Sequence, residues 1–277
     1  TKRMLLGPAG GSATGVTGDP TREEEGFCYS CHRDEGEAST DIETEFGLAT
    51  HHVIGSHEQG DAIALECTSC HDPHLASSAL LLRNPDEGGA WTGTLQAFCL
   101  TCHDGDPPDD VSFPATSTGT GFDKSGFVGT THASELGDDS CLDCHEQHGS
   151  AYRAILQAKY VVADSNERTN GDYAACWLCH SSSTVLSGSN AFDEYHQTHV
   201  LSEDATCAEC HDVHKGYDSS EPGLIDFSYA LKSSWRMTLP GSQTLSSAFQ
   251  VNPTTGVGTC RITCHGESHV GESYGGN

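Results

Sequence analysis

The stretch Cys67-Thr68-Ser69-Cys70-His71-Asp72-Pro73-His74 brings two cysteines and two histidines together within a few residues. The chain has 277 residues and 14 cysteines, and every cysteine belongs to a close pair that a histidine directly follows. Six pairs read Cys-x-x-Cys-His and begin at Cys28, Cys67, Cys99, Cys141, Cys176 and Cys207. The last pair, Cys260-Arg-Ile-Thr-Cys264-His265, is longer by one residue.

The spacing within these pairs has a mechanical reason. Residues i, i+3 and i+4 share one face of a helical turn, so two thiols can add to the vinyl groups at one edge of a porphyrin while the imidazole reaches its iron. Cys-x-x-Cys-His is the attachment pattern of c-type haem. In the longer pair the thiols lie at i and i+4, still on one helical face, which indicates a further attachment site. Structural zinc knuckles and a disulfide framework are the alternatives, but neither requires a histidine after each pair.

We therefore predict seven covalently attached haem c groups, each containing one iron. The attaching residues would be Cys28 and Cys31, Cys67 and Cys70, Cys99 and Cys102, Cys141 and Cys144, Cys176 and Cys179, Cys207 and Cys210, and Cys260 and Cys264. The proximal iron ligands would be His32, His71, His103, His145, His180, His211 and His265.

The composition agrees with a chain built around cofactors. Leu, Ile, Val and Phe together make up about one residue in six, and the formal net charge is −27, a combination that is typical of disordered chains. Macrocycles can supply the interior that aliphatic side chains do not. We predict a multihaem cytochrome c fold with mostly loops, short helices at the haem motifs and little sheet, in which the haems form the core. The haem-free chain is expected to be largely unfolded.

Four of the histidines outside the motif ends follow a motif closely. His74, His148 and His214 follow by three residues and His269 by four. A histidine so near its proximal neighbour cannot reach the opposite face of the same iron. Each of these four is therefore expected to ligate a different haem.

The other spare histidines lie upstream of motifs, and they are His51, His52, His57, His132, His196 and His199. His132 and His199 precede the motifs at Cys141 and Cys207, and each is expected to ligate the haem that it precedes. For the haem at Cys67 the choice among the first three stays open, as does the role of His196. The two methionines, Met4 and Met237, do not neighbour a motif, which favours bis-histidine haems at the lower end of the redox range.

The motifs alternate in type, which indicates an internal repeat. Odd-numbered motifs lack a trailing histidine and even-numbered motifs carry one, so a two-haem module of about 70 residues occurs three times. We predict a flexible arm at 1–26, two-haem modules at 27–97, 98–174 and 175–239, and a C-terminal segment with the seventh haem at 240–277. The trailing histidine of each module is expected to ligate the odd haem of the same module.

Residues 67–74, running on to Leu80-Leu81-Leu82-Arg83, resemble the second motif of the doubled-CXXCH family of multihaem cytochromes. The resemblance covers residues 27 to about 215, with departures at Glu146-Gln147 and Asp212-Val213, where the family pattern has a proline. It implies electron transport outside the cytoplasmic membrane. Some similar extracellular cytochromes polymerise into conductive filaments, or nanowires, so a head-to-tail homopolymer is a further expectation.

The surplus of candidate ligands favours electron conduction over chemistry at an open iron, so we predict an electron-transfer protein and not an enzyme. The first hypothesis is a cell-surface or extracellular conductor whose partners are other redox proteins or extracellular electron acceptors. A monomeric periplasmic shuttle and a multihaem reductase with one open haem are the alternatives. The sequence pI near 4.7 disfavours nucleic acid as a partner. No apolar run approaches the roughly 20 residues of a membrane span.

Overall fold

The computed structural model describes residues 24–54, 65–74, 80–108, 124–162, 169–186, 193–214, 222–227, 237–252, 254–255, 257–264 and 266–274. Helices in these parts are short, and Leu95–His103, with 9 residues, is the longest of those described. The strands have two or three residues each. This confirms the predicted fold class of loops, short helices and little sheet. Within the described ranges, no helix is both long and apolar enough to cross a membrane.

The α-helices are α1 (Glu24–Tyr29), α2 (Ile42–Phe46), α3 (Cys67–Cys70), α4 (Leu95–His103), α5 (Thr131–Leu136), α6 (Ala174–Trp177), α7 (Ser182–Leu186), α8 (Asp193–His196), α9 (Cys207–Cys210) and α10 (Leu245–Ala248). Single 3₁₀ turns cover Ser125–Gly129, Gly137–Asp139, Arg153–Ile155, Asn170–Tyr173 and Pro222–Leu224, and a π-helical turn covers Gln197–Ser202. The strands are β1 (Thr50–His51), β2 (Gly149–Ser150), β3 (Phe249–Val251), β4 (Gly258–Cys260), β5 (Thr263–Cys264), β6 (Glu267–Ser268) and β7 (Glu272–Tyr274).

Helical turns carry the first cysteine of five motifs, those at Cys28, Cys67, Cys99, Cys176 and Cys207. Side-chain caps begin some of the helices. The Thr94 hydroxyl accepts a hydrogen bond from the Ala97 amide ahead of α4, which satisfies one of the amides that a helix start leaves without a partner. The five helical motifs agree with the predicted short helices at the attachment sites.

The chain divides into two compact units. The first contains residues 1–125 and 138–157, and the second contains residues 126–137 and 158–277. In the first unit β1 and β2 form an antiparallel pair, with Thr50 opposite Ser150 and His51 opposite Gly149. This pairing joins segments that are about a hundred residues apart in the sequence. The predicted modules divide the chain at other positions, and they stay a prediction.

The second unit contains two small apolar clusters. One joins Phe227, Met237, Ala248 and Ile262, and the other joins Tyr173, Leu186 and Val200. A three-stranded antiparallel sheet with the order β3-β4-β7 lies next to the first cluster, since Phe249 of β3 packs against it. These clusters are small for a unit of this size, as the low aliphatic content leads one to expect.

The longer motif differs from its predicted helical turn. Cys260 ends β4, and Cys264 lies in β5, which pairs with β6. The local sequence Gly258-Thr-Cys-Arg-Ile-Thr263 is rich in β-branched residues, which pack well on an extended, half-buried surface. The expectation that these two thiols share one helical face is therefore wrong. Three parts of the predicted scheme, namely His57, His265 and most of the arm at 1–26, lie outside the described residues.

Candidate haem-binding sites

Four motif histidines each face a second imidazole ring. The ring centroids are 6.2 Å apart for His71 and His148, 6.3 Å for His103 and His52, 6.1 Å for His180 and His132, and 6.1 Å for His211 and His196. A metal–nitrogen bond to histidine is about 2 Å long, so a metal bound between two imidazoles holds their centroids roughly 6 Å apart. The separations therefore fit a haem iron with one imidazole on each side.

A fifth ring pair has a different composition. His199 and His269 lie with their centroids 5.7 Å apart, and neither of them directly follows a cysteine pair. Both belong to the second unit. The pattern of facing imidazoles thus extends beyond the histidines of the attachment motifs.

The even-numbered motifs hold their histidine in a common way. Nδ1 of His71 donates to the carbonyl of Leu80 at 2.8 Å, and Nδ1 of His145 donates to the carbonyl of Ala154 at 2.8 Å. Nδ1 of His211 likewise donates to the carbonyl of Gly223. An imidazole that donates from Nδ1 keeps the Nε2 lone pair for a metal, and such hydrogen bonds fix the orientation of a ligating ring. All three rings therefore have Nε2 available for a metal.

The carbonyls that accept these bonds belong to three short return segments, which we define as residues 80–83, 154–157 and 223–226. Each forms an isolated antiparallel bridge with its motif histidine, through Leu82, Leu156 or Ile225. The preceding residue has a positive φ in every case, 54° at Leu81, 49° at Ile155 and 54° at Leu224. Non-glycine residues rarely adopt this conformation. Its recurrence at three equivalent places shows that the tight return is a structural repeat.

The backbone closes each return segment in the same way. For the first, the Asp72 amide donates to the carbonyl of Leu81 at 2.7 Å, and the Arg83 amide donates to the carbonyl of Cys70 at 2.9 Å. Equivalent bonds, of 2.7–3.0 Å, link Glu146 to Ile155, Gln157 to Cys144, Asp212 to Leu224 and Asp226 to Cys210. The sequence analysis did not predict these segments. Their signal is the apolar pair at 81–82, 155–156 and 224–225, which recurs downstream of each even motif.

The β1–β2 pair positions two of the facing histidines in the first unit. His52 directly follows β1, and its Nδ1 donates to the carbonyl of Gln147 at 2.8 Å. His148 directly precedes β2, and its Nδ1 donates to Oε2 of Glu45 at 2.9 Å. Both rings are thereby held by Nδ1, with Nε2 left for a metal.

One helical segment supplies two facing histidines in the second unit. His196 ends α8 and His199 lies one turn further on, in the π-helical turn. Their rings face His211 and His269, respectively. Because residues three apart share one face of a helix, this segment places two candidate axial ligands side by side. The sequence analysis left His196 undecided, and its spacing of three residues from His199 is the signal that could have found it.

Burial affects the protonation of several of these rings. It lowers the pKa of His52, His71, His132, His145, His211 and His269. A lower pKa favours the neutral imidazole, which is the form that binds a metal. The protonation state therefore suits ligation at neutral pH.

The observed ring pairs differ from the predicted assignments. His148 was expected to serve the odd haem of its own module but faces His71, because strand pairing draws β2 back to β1. His132 was expected to serve the haem at Cys141 but faces His180.

The two remaining differences concern histidines upstream of even motifs. His52, a candidate for the haem at Cys67, faces His103. His199 was expected to serve the haem at Cys207, but the ring that faces His211 is that of His196. His199 lies one helical turn further along the chain, and its ring faces His269. Local distance along the chain is therefore a poor guide to the ring pairs.

Four other candidate ligands, His32, His51, His74 and His214, make contacts of other kinds. Nδ1 of His32 is hydrogen-bonded to the Thr40 hydroxyl at 3.0 Å. The rings of His51 and His214 lie near Phe46 and Phe127, with centroids 6.4 Å and 6.3 Å apart. His74 donates its backbone amide to Asp72. Ligation by these residues, by His57 and by His265 stays a prediction.

The cysteines of successive motifs lie close together within each unit. The thiols of Cys99 and Cys141 are close enough for each to shift the pKa of the other, and so are those of Cys176 and Cys207. Burial, and then the neighbouring Cys102, raises the pKa of Cys70 to about 11. Successive attachment motifs are therefore neighbours in space as well as in sequence.

The cysteines also bear on the two alternatives to haem. No two of the fourteen cysteines are joined by a disulfide. Among the described residues, no group of three or more His, Cys, Asp or Glu side chains has the arrangement of a metal site. Paired thiols with a histidine directly after them are the donor set that a c-type haem uses, and the facing imidazoles are consistent with it.

The comparisons with known proteins agree with this geometry. The family model described as "Doubled CXXCH motif" matches residues 60–107 and 132–184. A 159-residue stretch, 57% of this chain, is 23% identical to "Multiheme cytochrome MtrA" of Shewanella baltica (strain OS185). That stretch spans 32% of the relative's length, about a third of it. No solved structure matches the chain.

Proposed function

We propose that this doubled-CXXCH multihaem c-type cytochrome is a heptahaem protein that conducts electrons along a row of bis-histidine haems. The observation that carries the proposal is the set of four motif histidines that each face a second imidazole at 6.1–6.3 Å. Seven cysteine pairs support the number of haems. Covalently bound haem c itself is indicated by the doubled CXXCH motifs.

The residues of the chain have three tasks in this function. The cysteine pairs would attach the cofactors, and the paired imidazoles would hold each iron from both sides, which would keep a substrate away from the metal. The return segments fix the ring orientation through Nδ1. Bound haem supplies the ferric–ferrous couple, and two imidazole ligands favour the lower end of its range of potentials.

The arrangement of the cysteines supports a row of sites. The nearness of Cys99 to Cys141 and of Cys176 to Cys207 supports neighbouring positions for consecutive haems. Electrons can then pass between neighbouring sites without a bound substrate. An electron carrier, rather than an enzyme, is the function that this arrangement favours.

We further propose that the protein works outside the cytoplasmic membrane, at the cell surface or in the extracellular space. Its partners would be other redox proteins or extracellular acceptors, and head-to-tail contacts would build a conductive filament. The unpaired seventh motif and the surplus of histidines support this form. A net charge of −27 opposes close association at low ionic strength, so assembly should require salt or divalent cations. A monomeric periplasmic shuttle is the alternative.

The proposal is tested on the purified holoprotein. Haem content relative to protein, measured from pyridine haemochrome absorbance and from intact mass, should give seven haems per chain. Optical redox titration should show every haem cycling, and the ferrous protein should bind almost no carbon monoxide at neutral pH. A lower haem content, or carbon monoxide binding at several irons, would contradict the proposal. Electron microscopy of the protein in salt separates filaments from monomers.

A further inference from the structure

One of the facing imidazoles has a charged hydrogen-bond partner. Nδ1 of His148 donates to Oε2 of Glu45 at 2.9 Å. The rings of His52, His71 and His211 donate from Nδ1 to backbone carbonyls instead. A hydrogen bond to a carboxylate is stronger than one to a neutral acceptor. The ring pair of His71 and His148 therefore differs from the others in what holds its second imidazole.

The short helix α2 brings Glu45 to this ring. The Asp41 side chain caps the first turn of the helix. Its first two amides donate to the carbonyl of His32 at 3.1 Å and 3.0 Å, and the Leu48 amide donates to the carbonyl of Glu45 at 3.1 Å. The helix is thus anchored at both ends, and its place does not depend on the carboxylate.

The next residue of α2, Phe46, contacts the same imidazole. The ring centroids of Phe46 and His148 are 5.4 Å apart, with a tilted arrangement of the two planes. The side chain of His148 is 19% exposed and that of Glu45 is 43% exposed, so water screens the charge only in part at the ring. Two consecutive residues of one helix therefore fix both the place of the imidazole and its hydrogen bond.

A carboxylate partner changes a ligand as well as holding it. By drawing on the Nδ1 proton, it raises the basicity of the ring at Nε2. A more basic ligand stabilises ferric iron more than ferrous iron, because the ferric ion carries one more positive charge. Hydrogen bonding around the axial ligands is one of the means by which a protein sets a haem potential. A backbone carbonyl carries no net charge and should have a smaller effect.

We propose that Glu45 is a positioning residue that acts through His148 to lower the reduction potential of the haem attached at Cys67. This inference rests on the proposed function, because it assumes that His71 and His148 ligate one iron. It assigns the tuning of one site in the row to a side chain that lies outside the attachment motifs.

The test compares Glu45→Gln with Glu43→Gln in the purified holoprotein. Both substitutions remove one negative charge from α2, and Glu43 is exposed. Glutamine can still accept the Nδ1 hydrogen bond, so all haems should stay low-spin. In optical redox titrations at low ionic strength, Glu45→Gln should shift one haem to a higher potential, and by more than Glu43→Gln shifts any haem. The g values of one low-spin ferric haem should change in electron paramagnetic resonance. Equal shifts in the two variants, or a shift to lower potential, would overturn the proposal.

A second set of variants separates an effect through the ring from an effect through space. Methionine can ligate iron through sulfur but has no Nδ1, so His148→Met removes the hydrogen bond and still offers an axial ligand. In this background, Glu45→Gln should shift a potential no more than Glu43→Gln does. A difference that persisted there would contradict the positioning role.

The variant Glu45→Asp keeps the charge and should leave the potential nearer to that of the wild type than Glu45→Gln does. A potential as high as that of Glu45→Gln would count against the charge of this side chain as the cause. Failure of the proposed function is recognised separately, because the wild-type protein would then contain fewer haems or bind carbon monoxide when reduced.

Discussion

Gly149→Ala is the substitution for which the structure gives the sharpest expectation. An added Cβ would lie 2.1 Å from the carbonyl oxygen of Glu45 and 3.2 Å from Cβ of His51. The Glu45 carbonyl also accepts a hydrogen bond from the Leu48 amide at 3.1 Å, so the end of α2 holds it in place. Ordinary contacts begin near about 3.5 Å, and β2 must therefore move away by more than an ångström.

This movement has two measurable consequences. Overpacking of this kind costs about 1–3 kcal/mol of unfolding free energy, which should lower the midpoint of guanidinium unfolding of the holoprotein. His148 directly precedes Gly149 and bonds to the Glu45 side chain, so its ring should also be displaced from His71. We expect a partial high-spin signal and partial carbon monoxide binding at one haem, with the haem content unchanged.

The matched control is Gly26→Ala in α1 of the same unit. An added Cβ at this position would meet nothing within 4 Å, and alanine favours a helix over glycine. The control should therefore be as stable as the wild type or slightly more so, with all haems low-spin. If Gly149→Ala retained both the unfolding midpoint and a fully low-spin spectrum, the close approach of β2 to α2 would not position His148, and the reasoning would fail.

Three further expectations follow from the described contacts. Glu45→Gln removes a negative charge beside His148 and should raise the potential of one haem by some tens of millivolts at low ionic strength, about what partly screened charges give, as redox titration would show. The pKa of Asp172 is lowered to about 2 by the hydrogen bond from Lys159 and the Thr169 amide, so its contribution to stability is present above pH 3.8 and is lost as the pH falls towards 2. Asp172→Asn should lower the free energy of unfolding by about 1–2 kcal/mol at pH 7, a modest amount because water screens the largely exposed Lys159. Denaturant titrations should show that this difference disappears in acid. Haem-free protein should lack a cooperative melting transition by circular dichroism, and a compact haem-free fold would contradict a structure that depends on its cofactors.

The chemistry of the chain could be predicted from its sequence to a large extent, because attachment depends on local spacing. A cysteine pair followed by histidine specifies which side chains can reach one cofactor, and the low aliphatic content indicates a chain of loops and short helices. The spacing of the motif and the aliphatic content do not depend on the tertiary contacts between distant segments. The same local reasoning failed at the longer motif, where it predicted a helical turn. The β-branched residues Thr259, Ile262 and Thr263 favour strands there, and the spacing of the two cysteines carries no information about them.

The ring pairs could not be predicted because they depend on contacts between distant segments. His148 reaches His71 through the pairing of β1 with β2, and strands of two residues leave no periodic pattern in a sequence. The choice between His196 and His199 depends on one turn of helix, which the distance to Cys207 does not determine. Spare histidines could thus be recognised as candidate ligands, whereas their partners required the tertiary structure.

The ring pairs also show that the predicted two-haem modules are not independent of one another. In the first unit, His52 lies ahead of the second motif but faces the histidine of the third, and His148 follows the fourth motif but faces the histidine of the second. A repeat of independent two-haem modules would keep both axial ligands within one module. Here the second and third sites each draw one imidazole from the other side of the predicted boundary at residue 97. Each of the two predicted modules would therefore lack one of its facing imidazoles without the other, and we expect the two to fold together although the cysteines attach each haem separately.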